Sequence, residues 1–340
     1  MPQHPPRVSL GMPVYNAQRF LREVLDSILA QTFSDFELII SDNGSTDATE
    51  AICREYAARD PRIVYEPNDR TNHGPGWNYN RTEALARGEY FKWCAADDLL
   101  APTLLEKCVA ALDGDPGAVM AWPQTRVIDE DSKPIRDNTF VLPTDAKSPA
   151  KRFGALINVK HKKHGAFEIF SLIRLKALRA FPRKGSYARA DSVVLARLSL
   201  FGRFHLVQEF LFLNRDHRGR SVRSLPVRLS RGRSKLSKYI GVGPIPATEW
   251  WDASKKGKIV FPEWRIMKEY WASPAMAPLT MGQKAACSLR LIQFTLKILP
   301  KLLRDVVIAG EEVFWRFTDL FRSPPPDVRS ADNLHHTTAS

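Results

Sequence analysis

The first 112 residues alternate between short apolar runs and segments with a helical apolar stripe. The apolar runs are V-S-L-G-M at 8–12, F-E-L-I-I at 36–40, R-I-V-Y-E at 62–66 and Y-F-K-W-C at 90–94. After the first run, apolar residues at helical spacing predict an amphipathic helix with Asn16 as its N-cap. Strand–helix–strand units of this length pair in parallel through right-handed crossovers. The sequence therefore predicts an α/β fold with a mostly parallel, Rossmann-like sheet flanked by helices.

Acidic loops follow two of the predicted strands. S-D-N-G-S-T-D at 41–47 follows the second strand, and C-A-A-D-D at 94–98 closes the fourth. In an open α/β sheet, ligands bind in the crevice outside the carboxyl ends of the strands. Acids at this position suit a nucleotide, its sugar and a divalent metal that neutralises a diphosphate. We therefore expect Asp42, Asp97 and Asp98 to line one ligand site.

Charge is unevenly distributed along the 340 residues. Residues 1–150 carry 15 Lys and Arg against 23 Asp and Glu, whereas the remaining residues carry 35 against 14. Such asymmetry indicates a partner surface on the basic part, and an anionic membrane, an anionic substrate or a nucleic acid would each satisfy it. The four cysteines are scattered, which favours a reduced compartment without disulfides or structural zinc. We expect no secretory signal and no transmembrane helix, hence a cytoplasmic protein.

Three segments together resemble the family 2 glycosyltransferases. They are V-S-L-G-M-P-V-Y-N-A at 8–17, L-D-S-I-L-A-Q-T-F-S-D-F-E-L-I-I-S-D-N-G-S-T-D at 25–47 and A-R-G-E-Y-F-K-W-C-A-A-D-D-L-L at 86–100. The resemblance covers residues 8–112 and continues more weakly to residue 221. It implies a GT-A fold and an inverting, metal-dependent transfer of a sugar from a nucleotide to a hydroxyl group.

The resemblance also implies a set of residues that contact the donor nucleotide. They are Pro13, Tyr15, Asp42, Trp77, Asn80 and Asp97. Asp42 would accept a hydrogen bond from the imide N–H of uracil or thymine, so the expected donor is a UDP- or dTDP-linked sugar. Two alternatives stay open, because Asp42 could only cap its turn and Trp77 could be a core residue. Asn43 stands where many relatives have a second Asp.

A metal site and a catalytic base complete the set of residues implied by the resemblance. Asp97, Asp98 and His217 would hold Mn²⁺ or Mg²⁺, because these cations take carboxylate and phosphate oxygens. Asp191 would take the proton of the acceptor hydroxyl as that oxygen attacks the sugar. One alternative is that Asp98 only precedes a helix, where an acid is favourable near the positive end of the helix dipole. The other is that Asp191 is a helix N-cap. His217 could equally be an ordinary surface residue.

Two departures from the family pattern keep other functions open. Ala95 and Ala190 stand where relatives often carry acids, so a catalytically silent nucleotide-sugar-binding protein is an alternative. A sugar nucleotidyltransferase is less favoured, because G-M-P-V-Y-N-A at 11–17 is not a glycine-rich phosphate loop. We expect no nucleic-acid partner, since no reader motif is present.

The sequence divides into a catalytic domain and a basic C-terminal region. The predicted boundaries are 1–222 for the catalytic domain (nucleotide-binding half 7–112, acceptor-side half 113–222), 223–322 for a basic amphipathic helical region and 323–340 for a disordered tail. Apolar faces interleaved with basic residues at 283–317 indicate either a helix on an anionic membrane or one packed on the catalytic domain. The expected acceptor is a hydroxyl on a surface glycan or a lipid-linked intermediate. The expected location of the protein is the cytoplasm, and the alternative is a peripheral position at the inner face of the membrane.

Overall fold

The computed structural model describes residues 4–141, 143–159, 167–220, 227–228, 245–246 and 248–319. The predicted disordered tail and most of the basic stretch at 223–247 lie outside these residues. Within them the chain forms an α/β fold, and a helical region follows from Thr248 onwards.

Strands and helices alternate in the first half of the chain, and longer strands follow in the second half. The strands are β1 (Val8–Val14), β2 (Phe36–Asp42), β3 (Ile63–Glu66), β4 (Tyr90–Trp93), β5 (Leu99–Leu100), β6 (Ala118–Ile128), β7 (Pro134–Asn138), β8 (Leu172–Arg174), β9 (Arg203–Arg215), β10 (Val227–Arg228) and β11 (Ile245–Pro246). The helices are α1 (Gln18–Leu29), α2 (Thr49–Arg59), α3 (Pro75–Leu85), α4 (Leu104–Gly114), α5 (Pro149–Ile157), α6 (Leu175–Leu178), α7 (Ala190–Phe201), α8 (Thr248–Trp251), α9 (Pro262–Met276) and α10 (Met281–Asp319).

The main sheet has the strand order β3-β2-β1-β4-β8-β6-β9-β5, and β7 pairs with β6. Strand β1 lies parallel to both β2 and β4, and β2 lies parallel to β3. Strand β8 then joins the two halves of the sheet by antiparallel pairs with β4 and β6. The predicted α/β fold with a mostly parallel sheet and a helical C-terminal extension is confirmed.

The sheet is covered on both faces, which explains why its strands read as continuous apolar runs. One buried cluster combines side chains of β1 and β2 with those of α1, α2 and α4. The other combines side chains of β4, β6 and β8 with those of α5, α7, α9 and α10. The C-terminal helices therefore share a core with the sheet, and the predicted domain boundary at residue 222 stays a prediction.

The predicted start of α1 differs from the observed one, because polar residues of the loops after β1 and β2 bind across to each other. Asn16 is not the N-cap of α1: its φ is 49°, the N-cap is Ala17, and the Asn16 Oδ1 accepts from the Thr46 amide at 2.8 Å. Asp47 precedes α2 by two residues, and its carboxylate accepts from the amides of Thr49 at 3.0 Å and Gln18 at 3.2 Å. Both polar residues thus join the loop after β1 to the loop after β2.

After residue 114 the sheet contains two long strands. Strand β6 spans 11 residues and forms a hairpin with β7. Strand β9 spans 13 residues and lies parallel to β6. The register between β6 and β9 shifts near Pro123 and Gln124, because irregular pairing accommodates the proline.

The C-terminal helices are joined to the start of α7 by charged groups, of which Glu263, Arg304 and Asp305 are buried. The Arg189 Nη2 lies 2.6 Å from the Glu263 Oε2 at the beginning of α9. The Glu263 amide donates to the Asp305 Oδ2 of α10 at 2.6 Å, and Arg304 lies 3.6 Å from the Glu263 carboxylate. Among the described residues, no helix has the length and apolar character needed to cross a membrane.

Candidate active site

The carboxyl ends of β1, β2 and β4 meet at one edge of the sheet. Val14 pairs with Asp42 at the ends of β1 and β2, and the Asn43 amide donates to the Val14 carbonyl at 3.0 Å. On the other side of β1, the Cys94 amide donates to the Gly11 carbonyl at 2.9 Å. The two acidic loops predicted from the sequence therefore leave the sheet at the same edge, on either side of β1.

Asp42 is buried and accepts hydrogen bonds from its own loop and from β3. Its Oδ1 accepts from the Ser45 amide at 2.9 Å and from the Ser45 hydroxyl at 2.7 Å. Its Oδ2 accepts from the Tyr65 hydroxyl at 2.9 Å. Burial, and next this hydrogen bond to Asp42, raise the pKa of Tyr65. Asp42 therefore caps its turn, and whether this is its only role stays open. A carboxylate oxygen can accept more than one hydrogen bond, so the contact to a base stays a prediction.

Tyr15 stands at the outer side of this loop pair. Its side chain is 47% exposed, and the next residue, Asn16, donates its amide to the Ser45 hydroxyl at 3.0 Å. Pro13, one residue before the end of β1, pairs with Ser41 of β2. The loop that carries Tyr15 is therefore held by the loop that carries Asp42, and the ring is open to a ligand that stacks on it.

Asn43 organises the segment between β3 and α3, a role that the sequence did not reveal. Its Nδ2 donates to the Asn72 Oδ1 at 2.8 Å, and its Oδ1 accepts from the His73 amide at 3.0 Å. An Asp in this position could not donate, so the amide suits this loop. The His73 ring packs 4.5 Å from the ring of Trp77, which is half-buried at the start of α3.

Asp97 and Asp98 differ in environment although they are neighbours in sequence. The Asp98 Oδ1 accepts from the Asn214 Nδ2 at 2.9 Å and from the Arg215 amide at 2.8 Å. Burial, and next the charge of Asp97, raise the pKa of Asp98 to about 7. The Asp97 carboxylate is 32% exposed, and its Oδ2 lies 2.9 Å from the His217 Nε2. Asp97 is therefore the acid that a ligand can reach.

The position of Asp97 depends on Arg215, which is fully buried at the end of β9. The guanidinium donates to the Asp97 carbonyl at 2.9 Å, to the Glu130 carbonyl at 3.0 Å and to the Glu23 carboxylate at 2.7 Å. It also lies 4.5 Å from the centre of the Phe20 ring. One buried cation thus joins β9, the loop after β6, α1 and the loop after β4.

We expect Arg215→Met to lower the free energy of unfolding by about 3 kcal/mol, because the carbonyls it satisfies would lose a buried donor. Arg19→Met is a matched control: Arg19 also lies over the Phe20 ring and pairs with Glu130, but it is 59% exposed. Its effect should stay within about 0.5 kcal/mol. Urea unfolding measures both values, and similar effects of the two substitutions would contradict the structural role of Arg215.

Asp191 lies in the first turn of α7 and faces a buried lysine. The N-cap of α7 is Arg189, at a φ of 65°, so the alternative that Asp191 is the N-cap is wrong. The Lys184 Nζ is 2.6 Å from the Asp191 Oδ1, and Lys184 is only 8% exposed. The same ammonium lies 3.8 Å from the centre of the Tyr79 ring of α3.

The segment that carries Lys184 is anchored to α3. The Asn80 Nδ2 donates to the Lys184 carbonyl at 2.8 Å, so Asn80 positions this segment. The buried Glu83 carboxylate binds Arg179 and Arg183, each at 2.8 Å. A cavity of about 270 Å³ lies among these residues and is lined in part by Trp93. Asn80, which was predicted to contact the nucleotide, and Asp191, the predicted catalytic acid, are therefore both in contact with the residue Lys184.

Tyr79 links the two acidic groups electrostatically. Desolvation, followed by the charges of Asp191, Asp97 and Asp98, raises the pKa of the Tyr79 hydroxyl. Direct contacts of Tyr79 also connect the two acids in the fold. Its ring lies 3.8 Å from the Lys184 Nζ that binds Asp191, and its carbonyl accepts from the Trp93 Nε1 at 3.2 Å at the end of β4. A short series of contacts therefore joins Asp191 to the strand that leads to Asp97. Tyr79 carried no motif signal in the sequence and was missed there.

Among the described residues, no group of three or more His, Cys, Asp or Glu side chains is arranged to hold a metal ion. The pair formed by Asp97 and His217 offers one carboxylate and one imidazole, and Asp98 is committed to Asn214 and Arg215. A cation at this edge would therefore complete its coordination with ligand oxygens and water, which is how Mg²⁺ is usually held.

The mixed sheet, its acidic carboxyl edge and the C-terminal helices have the fold of the GT-A glycosyltransferases. The sequence profile described as Glycosyl transferase family 2 matches residues 9–181, which is half of the chain. The chain belongs to this family.

Similar proteins include other glycosyltransferases. An uncharacterized glycosyltransferase of Rickettsia typhi is 32% identical over 54% of this chain and 55% of its own length. Chondroitin synthase of Escherichia coli is 33% identical over 38% of this chain and 19% of its own length. The crystal structure of S. aureus TarS 1-349 in complex with UDP-GlcNAc aligns with a TM-score of 0.54 at 14% identity, over 92% of each chain. The matches thus span about half or less of the length of these sequence relatives.

Proposed function

We propose that this protein is an inverting, metal-dependent glycosyltransferase that moves a sugar from a nucleoside diphosphate to a hydroxyl acceptor. The observation that carries the proposal is the series of contacts from Asp191 through Lys184 and Tyr79 to the end of β4, where the Asp97 loop begins, with the Asp42 loop at the same sheet edge. This arrangement provides an acid for the diphosphate side of a donor and a separate carboxylate for the acceptor.

Asp191 would act as the general base. Its Oδ1 is buried and paired with Lys184, so Oδ2 is the oxygen available to take the hydroxyl proton. The acceptor oxygen attacks the anomeric carbon in line with the departing diphosphate, and the configuration at that carbon inverts. Lys184 would hold the carboxylate in one orientation, which keeps the proton-accepting oxygen towards the acceptor.

Asp97 and His217 would hold the divalent cation, Mn²⁺ or Mg²⁺. The fit rests on the exposed Asp97 carboxylate with an imidazole at 2.9 Å, because two protein ligands leave room for diphosphate oxygens. When bound, the cation would neutralise charge that develops on the leaving diphosphate. Asp98 would act mainly by supporting the loop, since its Oδ1 is taken by two protein donors.

The donor nucleotide would lie between the Tyr15 and Asp42 loops and the start of α3, where Trp77 and Asn80 lie. We propose a UDP- or dTDP-linked sugar, because Asp42 can accept from the imide of either base. The crystallised complex of TarS with UDP-GlcNAc shares the fold and supports a uridine nucleotide for this chain as well.

The acceptor is proposed to be a hydroxyl on a surface polysaccharide or a glycolipid intermediate. The similarity to chondroitin synthase, whose name denotes a polysaccharide product, supports this class. We place the protein in the cytoplasm, at the inner face of the membrane, because the basic C-terminal half suits an anionic surface.

A thermal-shift screen tests the donor assignment. We expect UDP or dTDP to raise the melting temperature when Mn²⁺ is present, and purine nucleoside diphosphates to have no effect. Hydrolysis of the matching nucleotide sugar is then followed by release of the nucleoside diphosphate. Binding without any release across the common sugar nucleotides would contradict the transferase and favour a silent binding protein, as the alanines at 95 and 190 would allow.

A further inference from the structure

Helix α10 carries an apolar stripe on the side that faces away from the catalytic core. Cys287, Leu291, Phe294 and Ile298 are buried in the core cluster that includes α5 and α7. On the opposite side, six exposed residues recur at alternating spacings of three and four: Leu289, Ile292, Leu296, Leu299, Leu303 and Val306. This spacing places them in one row about 25 Å long. The packing of α10 on the catalytic fold thus leaves a second apolar side unused.

Two tryptophans of α9 widen this row. The Trp264 Nε1 donates to the Leu302 carbonyl at 3.0 Å, and the Trp271 Nε1 donates to the Thr295 hydroxyl at 3.1 Å. Both indoles are about 40% exposed while they are held against α10. We refer to the six residues of the row together with Trp264 and Trp271 as the outer face. Indoles at the edge of an apolar surface are typical of contact with the boundary between lipid and water.

Positive charge predominates around the outer face, and the one acid between the two tryptophans in sequence, Glu269, is paired with Arg197 and Arg265. Residues 277–304 contain no Asp or Glu, whereas they contain Lys284, Arg290, Lys297 and Lys301 besides the buried Arg304. On α9 the exposed Lys268 lies between the two tryptophans in sequence. Leu and Trp on an apolar side with Lys and Arg beside them characterise helices that lie in the interface of an anionic bilayer.

Association of two copies through the same row is less favoured. If Leu289 and Ile292 occupied the a and d positions of a heptad, the flanking e and g positions would hold uncharged residues such as Gln293, Thr295 and Pro300. Pairs of opposite charge at these positions normally fix a coiled coil.

We infer that the outer face of α9 and α10 binds an anionic lipid surface, with both helices lying flat in its interface. The apolar row and the two indoles would enter the boundary of the bilayer, and the surrounding lysines would contact lipid phosphates. Lipid binding by the outer face rests on the proposed location of the enzyme at a membrane and says which surface makes the contact. It can be wrong while the proposed transferase activity is right, because lipid binding is measured without donor or acceptor.

Co-sedimentation of the full chain with vesicles tests the inference. The vesicles contain either equal parts of phosphatidylglycerol and phosphatidylcholine or phosphatidylcholine alone. We expect binding to the anionic vesicles to be at least about tenfold tighter, and to weaken as salt is added. Equal binding to both kinds of vesicle, or none to either, would overturn the inference.

Paired variants assign the binding to the outer face. Leu296→Gln with Leu303→Gln changes two exposed residues and should weaken vesicle binding at least about tenfold without lowering the melting temperature. Ile135→Gln, at a residue of β7 that is 52% exposed, is the matched control and should bind as the wild type does. Lys268→Gln with Lys284→Gln and Lys301→Gln should remove most of the preference for anionic lipid.

Two further outcomes would contradict the inference. One is that the leucine variants bind vesicles as tightly as the wild type. The other is that sedimentation velocity shows a dimer which the leucine variants dissociate, while the wild type leaves anionic vesicles unbound. The second result would assign the outer face to a second copy of the chain.

Discussion

Substitution of Asp191 by Asn is expected to lower kcat by about 10²- to 10⁴-fold, because the amide cannot take the proton of the attacking hydroxyl. The side chain keeps its size, and Lys184 keeps an oxygen to contact, so the fold should persist. The KM for the nucleotide sugar should change little, since the lost interaction belongs to the transition state. Release of the nucleoside diphosphate under saturating donor and acceptor measures kcat.

Glu50→Gln provides the matched control for Asp191→Asn. Glu50 is also an acid in the first turn of a helix, α2, where it pairs with Arg54. An acid that serves only the helix terminus contributes a few tenths of a kcal/mol to stability and nothing to kcat. If the Asp191 variant behaved like Glu50→Gln and kept its turnover, the assignment of the base would be wrong.

Substitution of Asp97 by Asn is expected to reduce kcat/KM by about 10²-fold or more and to raise the Mn²⁺ concentration needed for half-maximal rate. A neutral amide binds a hard cation more weakly than a carboxylate does, so the charge on the departing diphosphate would be less well neutralised. The thermal stabilisation by nucleoside diphosphate with Mn²⁺ should disappear as well. Rates measured across a Mn²⁺ titration separate loss of metal affinity from loss of turnover.

Asp131→Asn is the control for the Asp97 substitution. Asp131 is 77% exposed near the β6–β7 hairpin, where it faces Lys133 at 4.0 Å. Its loss should leave the Mn²⁺ requirement unchanged. Full activity of Asp97→Asn in the presence of a metal chelator would show that transfer does not need a cation held by this acid.

The parallel half of the fold could be predicted because its signals are local. Strands β1, β2 and β4 are mostly apolar because both faces are buried, and the acidic loops follow the carboxyl ends of β2 and β4 directly. The α/β class and the neighbourhood of Asp42 and Asp97 follow from these patterns. The exact start of α1 could not be predicted, since Asn16 binds the Thr46 amide in the loop after β2 instead of capping its own helix.

The rest of the candidate active site depends on contacts between residues far apart in sequence. Asp98 accepts from Asn214 and Arg215, which lie more than a hundred residues later, only because of the register that β9 adopts beside β5 and β6. Lys184 and Tyr79 meet Asp191 through the packing of α3 on the segment before α7. No spacing rule in the sequence encodes such pairs, because they are fixed by tertiary packing.

The contact between Arg189 and Glu263 has a consequence for how this enzyme could diversify. Arg189 is two residues before the proposed base, and its carboxylate partner begins the helix pair that carries the outer face. Exchange of the C-terminal helices with those of another transferase would therefore disturb the catalytic loop unless both members of the ion pair were retained. The part of the chain that meets the surroundings and the part that performs the chemistry are thus constrained to change together.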